Sequence, residues 1–459
     1  MKFTPSFPKP HKNKSSFILR FLRGSHSWLE VLFEKSYSMK MGQVKQPGLD
    51  VFMVNDPILI KKILVDEPKK YPKHRLMHLM LEPLLGNSIF TTNGKVWERQ
   101  RRLLDAGFGQ ARLKLVFPLM LDAVDDMLKR LDSEANNQAF EIDSEMTHIT
   151  ADIIFRTILS QNLSASNANE IFEAFNDFQR HAQRAFMLKV YWLPSFFAKR
   201  ASQKAANKIR PVIANVIAKR FKEKDLENST KYNDILAGIM EAVDPEDHDS
   251  FSYEEMVDQI CMLFLAGHET SASALTWSLY LISNCEDLQE KMYDEIQKMT
   301  NASHFEFEHI KQLTTVNNVF KEALRLYPPV GFFTREATED HCMRDKEIKT
   351  GSALLVSPWL IQRNKNYWDN PHDFDPDRFN TASGKDAEKC AYMPFSKGPR
   401  VCTGQTFAIQ EAILILANIV RRYKVRAVVD HVPKAVGRVT IRPENGVRIR
   451  LIKRSSSNI

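Results

Sequence analysis

Apolar residues recur through most of this chain at the three-and-four spacing of an amphipathic helix, and strand-like alternation is confined to two regions near its ends. The first is Val44–Val54, preceded by a helical stretch over Trp28–Tyr37. The second, Val425–Arg454, is broken by Pro433, Pro443 and Asn445-Gly446 and predicts β-hairpins. Between them the pattern predicts several amphipathic helices over 112–225 and a strongly apolar helix over 254–284. A further helix ends at Pro328-Pro329, and another runs over Gln405–Val420. No internal repeat, low-complexity block or Gly/Ser linker divides the chain. The pattern therefore predicts a single, mainly α domain with a small β part, and an N-terminal extension and first helix over 1–39 precede the body, whose bounds 40–455 are those of the family resemblance given below.

Composition narrows the class. Of 459 residues 43% are hydrophobic and 26% charged, which suits a globular protein with ample core. The five cysteines, Cys261, Cys285, Cys342, Cys390 and Cys402, include no Cys-x-x-Cys pair, and no histidine cluster stands at zinc spacing. A disulfide framework is not expected, and a reducing, cytoplasmic location is. With 64 Lys and Arg against 56 Asp and Glu the chain carries +8, spread along its length without a nucleic-acid motif. The excess points to an acidic protein partner rather than to nucleic acid. Phe17-Ile-Leu-Arg-Phe-Leu-Arg23 is apolar but broken by Arg20 and Arg23, far short of a membrane span, and no small-residue cleavage site follows it. Weak contact with a membrane surface suits that segment, but no stable membrane anchor is expected.

Four stretches carry candidate chemistry. In Phe395-Ser-Lys-Gly-Pro-Arg-Val-Cys-Thr-Gly404, Cys402 lies between two glycines at the entry to a helix, with Arg400 two residues earlier. Free N–H groups and the helix dipole there are expected to favour the thiolate, an axial donor for haem iron. An arbitrary cysteine at a helix start is more often structural. The apolar helix Met256–Tyr280 is interrupted by Gly267-His-Glu-Thr270, where a glycine costs about 1 kcal/mol and a buried charge more unless paired. Ala266 and Thr270 share a face, so the Thr270 hydroxyl can bond the Ala266 carbonyl and widen the helix locally. Trp97 and Arg101 also share a helix face, a pairing that by residue type alone is packing plus a solvated charge. Glu322 and Arg325, at i,i+3 before Pro328-Pro329, would ordinarily be a weak surface pair.

Together these stretches resemble the cytochrome P450 family over roughly residues 40–455. The cysteine loop matches at Phe395, Gly398, Arg400, Cys402 and Gly404, and Ala266-Gly-His-Glu-Thr270 matches the oxygen-activation helix. Glu322-Ala-Leu-Arg325, followed by Phe374-Asp-Pro-Asp-Arg-Phe379, is similar to the family's buried Glu–Arg–Arg network, with Arg378 as third member. The resemblance implies a triangular helical prism binding haem b. Cys402 would be the iron ligand, and Trp97, Arg101, Arg335 and Arg400 would hold the propionates. Ala266 would border the haem and substrate, and Glu269 and Thr270 would deliver protons as the catalytic pair.

The activity implied is that of a haem-thiolate monooxygenase using O2 and electrons from a separate ferredoxin or flavodoxin with its reductase, because the chain ends soon after the haem domain. Lys389, Lys397, Arg99 and Arg102 are the candidate cations for that partner. For substrate, the segments around Leu76–Met80, Phe186-Met187, Ala266 and Val330–Phe333 form an apolar lining. Arg75, His78, Arg180, His181 and Arg184 lie in the same segments, either to anchor a carboxylate or simply to face water. Leu-Arg-Leu-Tyr-Pro-Pro329 looks closer to the family's fatty-acid hydroxylase branch, so the expected substrate is a medium- or long-chain fatty acid, with a terpenoid or other lipophile as competitor. A peroxide-driven peroxygenase would carry an Arg-Pro pair where this chain has Glu269-Thr270, and a non-catalytic haem sensor would need neither.

Overall fold

The structure is a computed structural model that describes residues 3–46, 49–161, 165–191, 193–225, 232–299 and 305–454. Residues 1 and 455, the outer bounds of the two predicted segments, lie outside the described residues. Helices dominate, and the largest organising element is Tyr253–Ser283, one residue from the predicted span. Its start is written in the sequence: Ser252 caps the Glu255 N–H while the Glu255 carboxylate reaches back to the Ser252 N–H. Apolar side chains surround nearly its whole circumference, so it is buried among the helices Asp143–Leu159, Phe196–Asp225, Thr314–Leu326 and Gln405–Arg422.

Packing also explains Gly267. A Cβ there would sit 2.2 Å from Ile154 Cδ1 on the crossing helix Asp143–Leu159. The glycine lets two helices approach, and its presence needs no catalytic reason. The predicted local widening is not seen, for the helix runs as regular α through residues 266–270.

A four-stranded sheet lies beside the helical body in the order Met41–Gln46, Leu49–Val54, Ala353–Val356, Phe333–Glu336. Its first and last pairs are antiparallel and its central pair is parallel. A second, smaller core of Phe52, Val54, Ile63, Leu354, Trp368, Phe379 and Met393 packs on it. The C-terminal alternation forms the predicted β structure, including a short hairpin of Ala435–Gly437 against Ile441–Pro443.

One expectation is corrected. Trp28–Tyr37 is two 3-10 turns, and the first true helix is Phe17–His26, where Ser16 accepts from the Leu19 N–H. Arg75–Leu85 is a helix capped by the His74 ring, with Pro83 in its last turn. The N-terminal segment packs on the body: Phe3 bridges Phe374, Phe7 stacks on His372 at 4.3 Å, and Leu29 and Leu32 join the main core.

Below the helical body, Glu322 is fully buried. Its carboxylate accepts from Arg325 at 2.7 and 2.8 Å, from Arg378 at 2.9 Å and from the Asp375 N–H at 3.0 Å. Arg325 spends its other donors on the carbonyls of Gln362, Pro371 and Asp373. Gln362 then donates to the Leu324 and Arg325 carbonyls and accepts from the Met393 N–H at 2.8 Å, at the start of the cysteine loop. Arg325→Ala should strand the Glu322 charge and cost about 3–5 kcal/mol, read as a fall in the urea unfolding midpoint. A loss under about 1 kcal/mol would show that the loop does not depend on this network.

Candidate haem site

Gly398 begins the cysteine loop in the left-handed region, at φ +74°, and a Cβ there would lie 2.0 Å from the Leu64 carbonyl oxygen. Only glycine meets both constraints. The Val401 N–H donates to the Gly398 carbonyl and the Cys402 N–H to the Phe395 carbonyl, each at 3.0 Å, closing the loop. The helix Gln405–Arg422 starts immediately after it.

Cys402 is accessible to solvent, yet protein surrounds it deeply enough for burial to push its thiol pKa up. The Gly404 N–H and the Arg101 charge pull the other way without prevailing. This corrects the expectation of a lowered pKa: the helix start is present, but desolvation outweighs it. Thiolate character must therefore come with a bound metal, which displaces the proton.

Above the loop, the isolated bridge between Lys73 and Arg335 sets two cations opposite each other on paired backbone. Arg400 joins them, its guanidinium 5.0 Å from the Trp97 ring centre. Burial and the two arginines push the Lys73 pKa well down, and burial with Arg400 brings Arg335 to about 9. Their hydrogen bonds go to carbonyls: Lys73 to Ile89 at 2.5 Å, Arg335 to Thr334 at 2.9 Å, Arg400 to Pro68 at 2.9 Å. The Nε atoms of Arg335 and Arg400 are buried without a partner. Among the described residues no carboxylate pairs with any of the three. One buried and two partly buried cations, with unpartnered buried Nε donors on Arg335 and Arg400, fit a ligand bearing carboxylates, such as the haem propionates.

Arg101 sits beside the same loop: its Nε donates to Asp105 at 2.9 Å and its Nη1 to the Val401 carbonyl at 2.5 Å, while its Nη2 makes no hydrogen bond among the described residues. Lys73 also stands with the cradle, a residue that sequence reasoning missed. Nothing local marks it, because its partner in the bridge lies 262 residues away.

On the long helix the Thr270 hydroxyl donates to the Ala266 carbonyl at 2.7 Å. The neighbouring Glu269 carboxylate is buried and accepts from Arg442 at 2.8 and 2.6 Å and from Thr440 at 2.8 Å. Burial pushes its pKa up, but Arg442, His268 and Thr440 outweigh burial and hold it at about 2. Glu269 is thus an anion at rest and no proton donor while so bound. Arg442 and Thr440 were not read as site residues; the one clue was an arginine between two buried positions of a short strand.

The cations expected to meet a redox partner are partly committed. Arg99 pairs with Asp247 and Glu255 at 2.8 and 2.9 Å, and Arg102 with Asp244 and Glu246 at 2.5 and 3.0 Å. Lys397 donates to the Lys389 carbonyl at 2.6 Å. Lys389 remains exposed. Arg180, one of the expected carboxylate anchors, pairs with Asp177 on the surface.

A cysteine on a glycine-shaped loop, a cationic cradle beside it and an acid–alcohol pair on the central helix define a haem-thiolate protein. A family model described as Cytochrome P450 matches residues 9–448, and the chain belongs to that family. It is therefore a haem-containing monooxygenase, an oxidoreductase that works with O2, a redox partner and a lipophilic substrate. The chain is 26% identical to "Cytochrome P450 4V2" of Mus musculus over 413 residues, covering 86% of this chain and 78% of the relative. It is 29% identical to "Cytokinin hydroxylase" of Arabidopsis thaliana, covering 86% and 77%. It is 28% identical to "Cyclooctatin synthase" of Streptomyces melanosporofaciens, covering 82% and 81%. The fold superposes on the crystal structure of the cytochrome P450DA heme domain with TM-score 0.83, at 22% identity and 98% coverage of both chains. No helix among the described residues is long and apolar enough to cross a membrane.

Cys402→Ser should abolish the reduced-CO Soret band typical of thiolate ligation, and an unchanged band would make another cysteine the ligand. Arg335→Gln should weaken haem retention about 10- to 100-fold, the worth of one or two charge-assisted hydrogen bonds, measured by haem transfer to apomyoglobin. Transfer at the unmutated rate would remove Arg335 from the cradle.

Proposed function

We propose that this monooxygenase hydroxylates a medium- or long-chain fatty acid, with Cys402 as iron ligand and Glu269 and Thr270 as the route for protons. The single observation behind the catalytic reading is the set of buried, partnerless donors on Arg335 and Arg400, beside Lys73 and close to the Cys402 loop. Haem, when bound, supplies the iron that activates O2. Trp97 supports Arg400, while Lys73, Arg335 and Arg400 bind and orient the carboxylates. The Thr270 hydroxyl, one hydrogen bond from the Ala266 carbonyl, can turn outward to hand on a proton.

The substrate reading rests on the residues near that helix. Met77, Met80, Phe186, Ala266, Phe332 and Phe333 are apolar and partly or wholly buried, a lining suited to a flexible chain. Among the described residues, exposed Arg75 and Arg184 form no ion pair and can meet a carboxyl group, unlike Arg180. The Leu-Arg-Leu-Tyr-Pro-Pro329 run supports the same branch. Relatives of similar identity are named for a cytokinin and for cyclooctatin, so a terpenoid or other lipophile is the competing substrate. The electron donor we propose is an acidic ferredoxin or flavodoxin, favoured by the +8 charge.

Thr270→Ala should bind substrate normally but divert reducing equivalents to hydrogen peroxide, with product formation falling by about 10²–10⁴ where proton transfer limits. Unchanged coupling of NAD(P)H to product would sink that role. Fatty acids of increasing length should shift the haem spin-state band with growing affinity. Silence toward every fatty acid alongside a response to terpenoids would overturn the substrate.

A further inference from the structure

Trp28 sits in a slot that two glycines leave open. A Cβ at Gly331 would lie 2.1 Å from Trp28 Cζ2, and one at Gly437 would lie 2.6 Å from Trp28 Nε1. One glycine belongs to the strand edge after Pro328-Pro329, the other to the hairpin of Ala435–Gly437 against Ile441–Pro443. Neither has a positive φ, so room for the indole is what calls for glycine at both positions. The segment around Trp28 is fastened on both sides. Ser27 accepts from the Gly437 N–H at 2.9 Å, and the His26 ring lies 2.9 Å from Glu30 and 2.5 Å from Glu444. In the other direction, Phe21 meets Tyr191 edge-on at 4.9 Å, and a Cβ at Gly24 would lie 3.0 Å from Met187 Cε. Residues 21–28 thus join the end of the helix Ala165–Val190 to the strand edge at 331–333. Both of those segments belong to the apolar lining proposed above.

At the strand edge the indole meets Phe332. The two rings stand edge to face, 5.2 Å apart at 88°, and among the described residues no other aromatic ring touches Phe332. The backbone on either side of Phe332 is held without Trp28. The Ile441 N–H donates to the Pro329 carbonyl at 2.9 Å, and the Ser357 hydroxyl donates to the Gly331 carbonyl at 2.8 Å. Beyond it, Phe333–Glu336 pairs with Ala353–Val356. Loss of the indole therefore frees a ring rather than a strand. Phe332 is only half-buried, so its ring can turn into the space that the indole leaves.

We propose that Trp28 is a positioning residue for substrate selection: it holds the Phe332 ring as one wall of the pocket and so limits the length and girth of the lipophile admitted. This rests on the place given to Phe332 in the substrate pocket proposed above. Trp28 lies in the N-terminal segment, some 300 residues before the strand edge it controls, and it acts only through the ring it braces. Removing that ring must therefore remove its effect. An edge-to-face aromatic contact corresponds to a preference of up to about tenfold, which sets the size of the change expected.

The test is a double-variant cycle on haem-loaded protein, read by the spin-state band during titration with dodecanoic and hexadecanoic acids. Trp28→Ala should raise the affinity for hexadecanoic relative to dodecanoic acid about tenfold over wild type. Trp28→Phe, which restores a ring, should return most of the wild-type ratio. Phe332→Ala should shift the ratio as Trp28→Ala does, and the double variant should shift it no further. Leu29→Ala, next in the chain but in the main core, should lower the thermal midpoint and leave the ratio alone. Trp28→Leu serves if Trp28→Ala fails to take up haem. An unchanged ratio without the indole, or shifts from Trp28→Ala and Phe332→Ala that add, would overturn the inference and leave the hydroxylase reading standing. If wild type responds to terpenoids and to no fatty acid, the fatty-acid reading falls. The same cycle, run with a smaller and a larger terpenoid that shift the band, then judges Trp28 by the same two criteria. Silence toward both classes would overturn both.

Discussion

Burying one carboxylate, Glu322, obliges much of this structure to be as it is. An uncompensated charge in a dry core is costly, so Arg325 and Arg378 must both reach it, and the guanidinium donors left over must find carbonyls. Those carbonyls belong to residues 362–373, which are thereby drawn against the helix Thr314–Leu326. Gln362 continues the chain of bonds to Met393, and from there the backbone runs straight into the loop of Cys402. The loop of Cys402, the proposed iron ligand, is thus tied at its start to this ion network.

The opposite arrangement stands beside that loop. Arg335 is buried, with Lys73 and Arg400 partly buried beside it, and among the described residues no carboxylate forms an ion pair with any of them; only the charge of Glu98 reaches Arg400. A protein that satisfies Glu322 so fully does not leave three cations short by neglect of the same rule. Their imbalance is complementary to an anionic ligand, and binding it recovers what desolvation cost. Glu269 shows a third solution, a buried acid held in its charged form by one arginine and one hydroxyl. Balanced charges thus mark the scaffold, while cations short of a carboxylate gather beside the cysteine loop.

The same physics revises two local expectations. Cys402 stands at a helix start, which favours a thiolate, but the residues packed around it impose a larger desolvation that favours the thiol. Gly267 interrupts an apolar helix near Glu269 and Thr270, yet a Cβ there would meet Ile154 on a crossing helix, so close packing accounts for it. In both cases the feature was visible and its dominant cause was not.

What the chain by itself determined was local. Ser252 and Glu255 start the long helix, Ala266 and Thr270 meet four residues apart, and Gly398 and Gly404 bracket the cysteine, because helix pitch and backbone sterics act over a handful of positions. The family pattern added Glu322, Arg325 and Arg378 as one network. Tertiary structure alone decided which distant charges meet: Lys73 with Arg335 through a single β-bridge, Arg442 with Glu269, Arg99 and Arg102 with the acids at 244–255. It also brought Arg101 against the carbonyls of the cysteine loop. Electrostatic partners are chosen by proximity in space and by the shared loss of water, and neither is encoded in the spacing of residues along the chain.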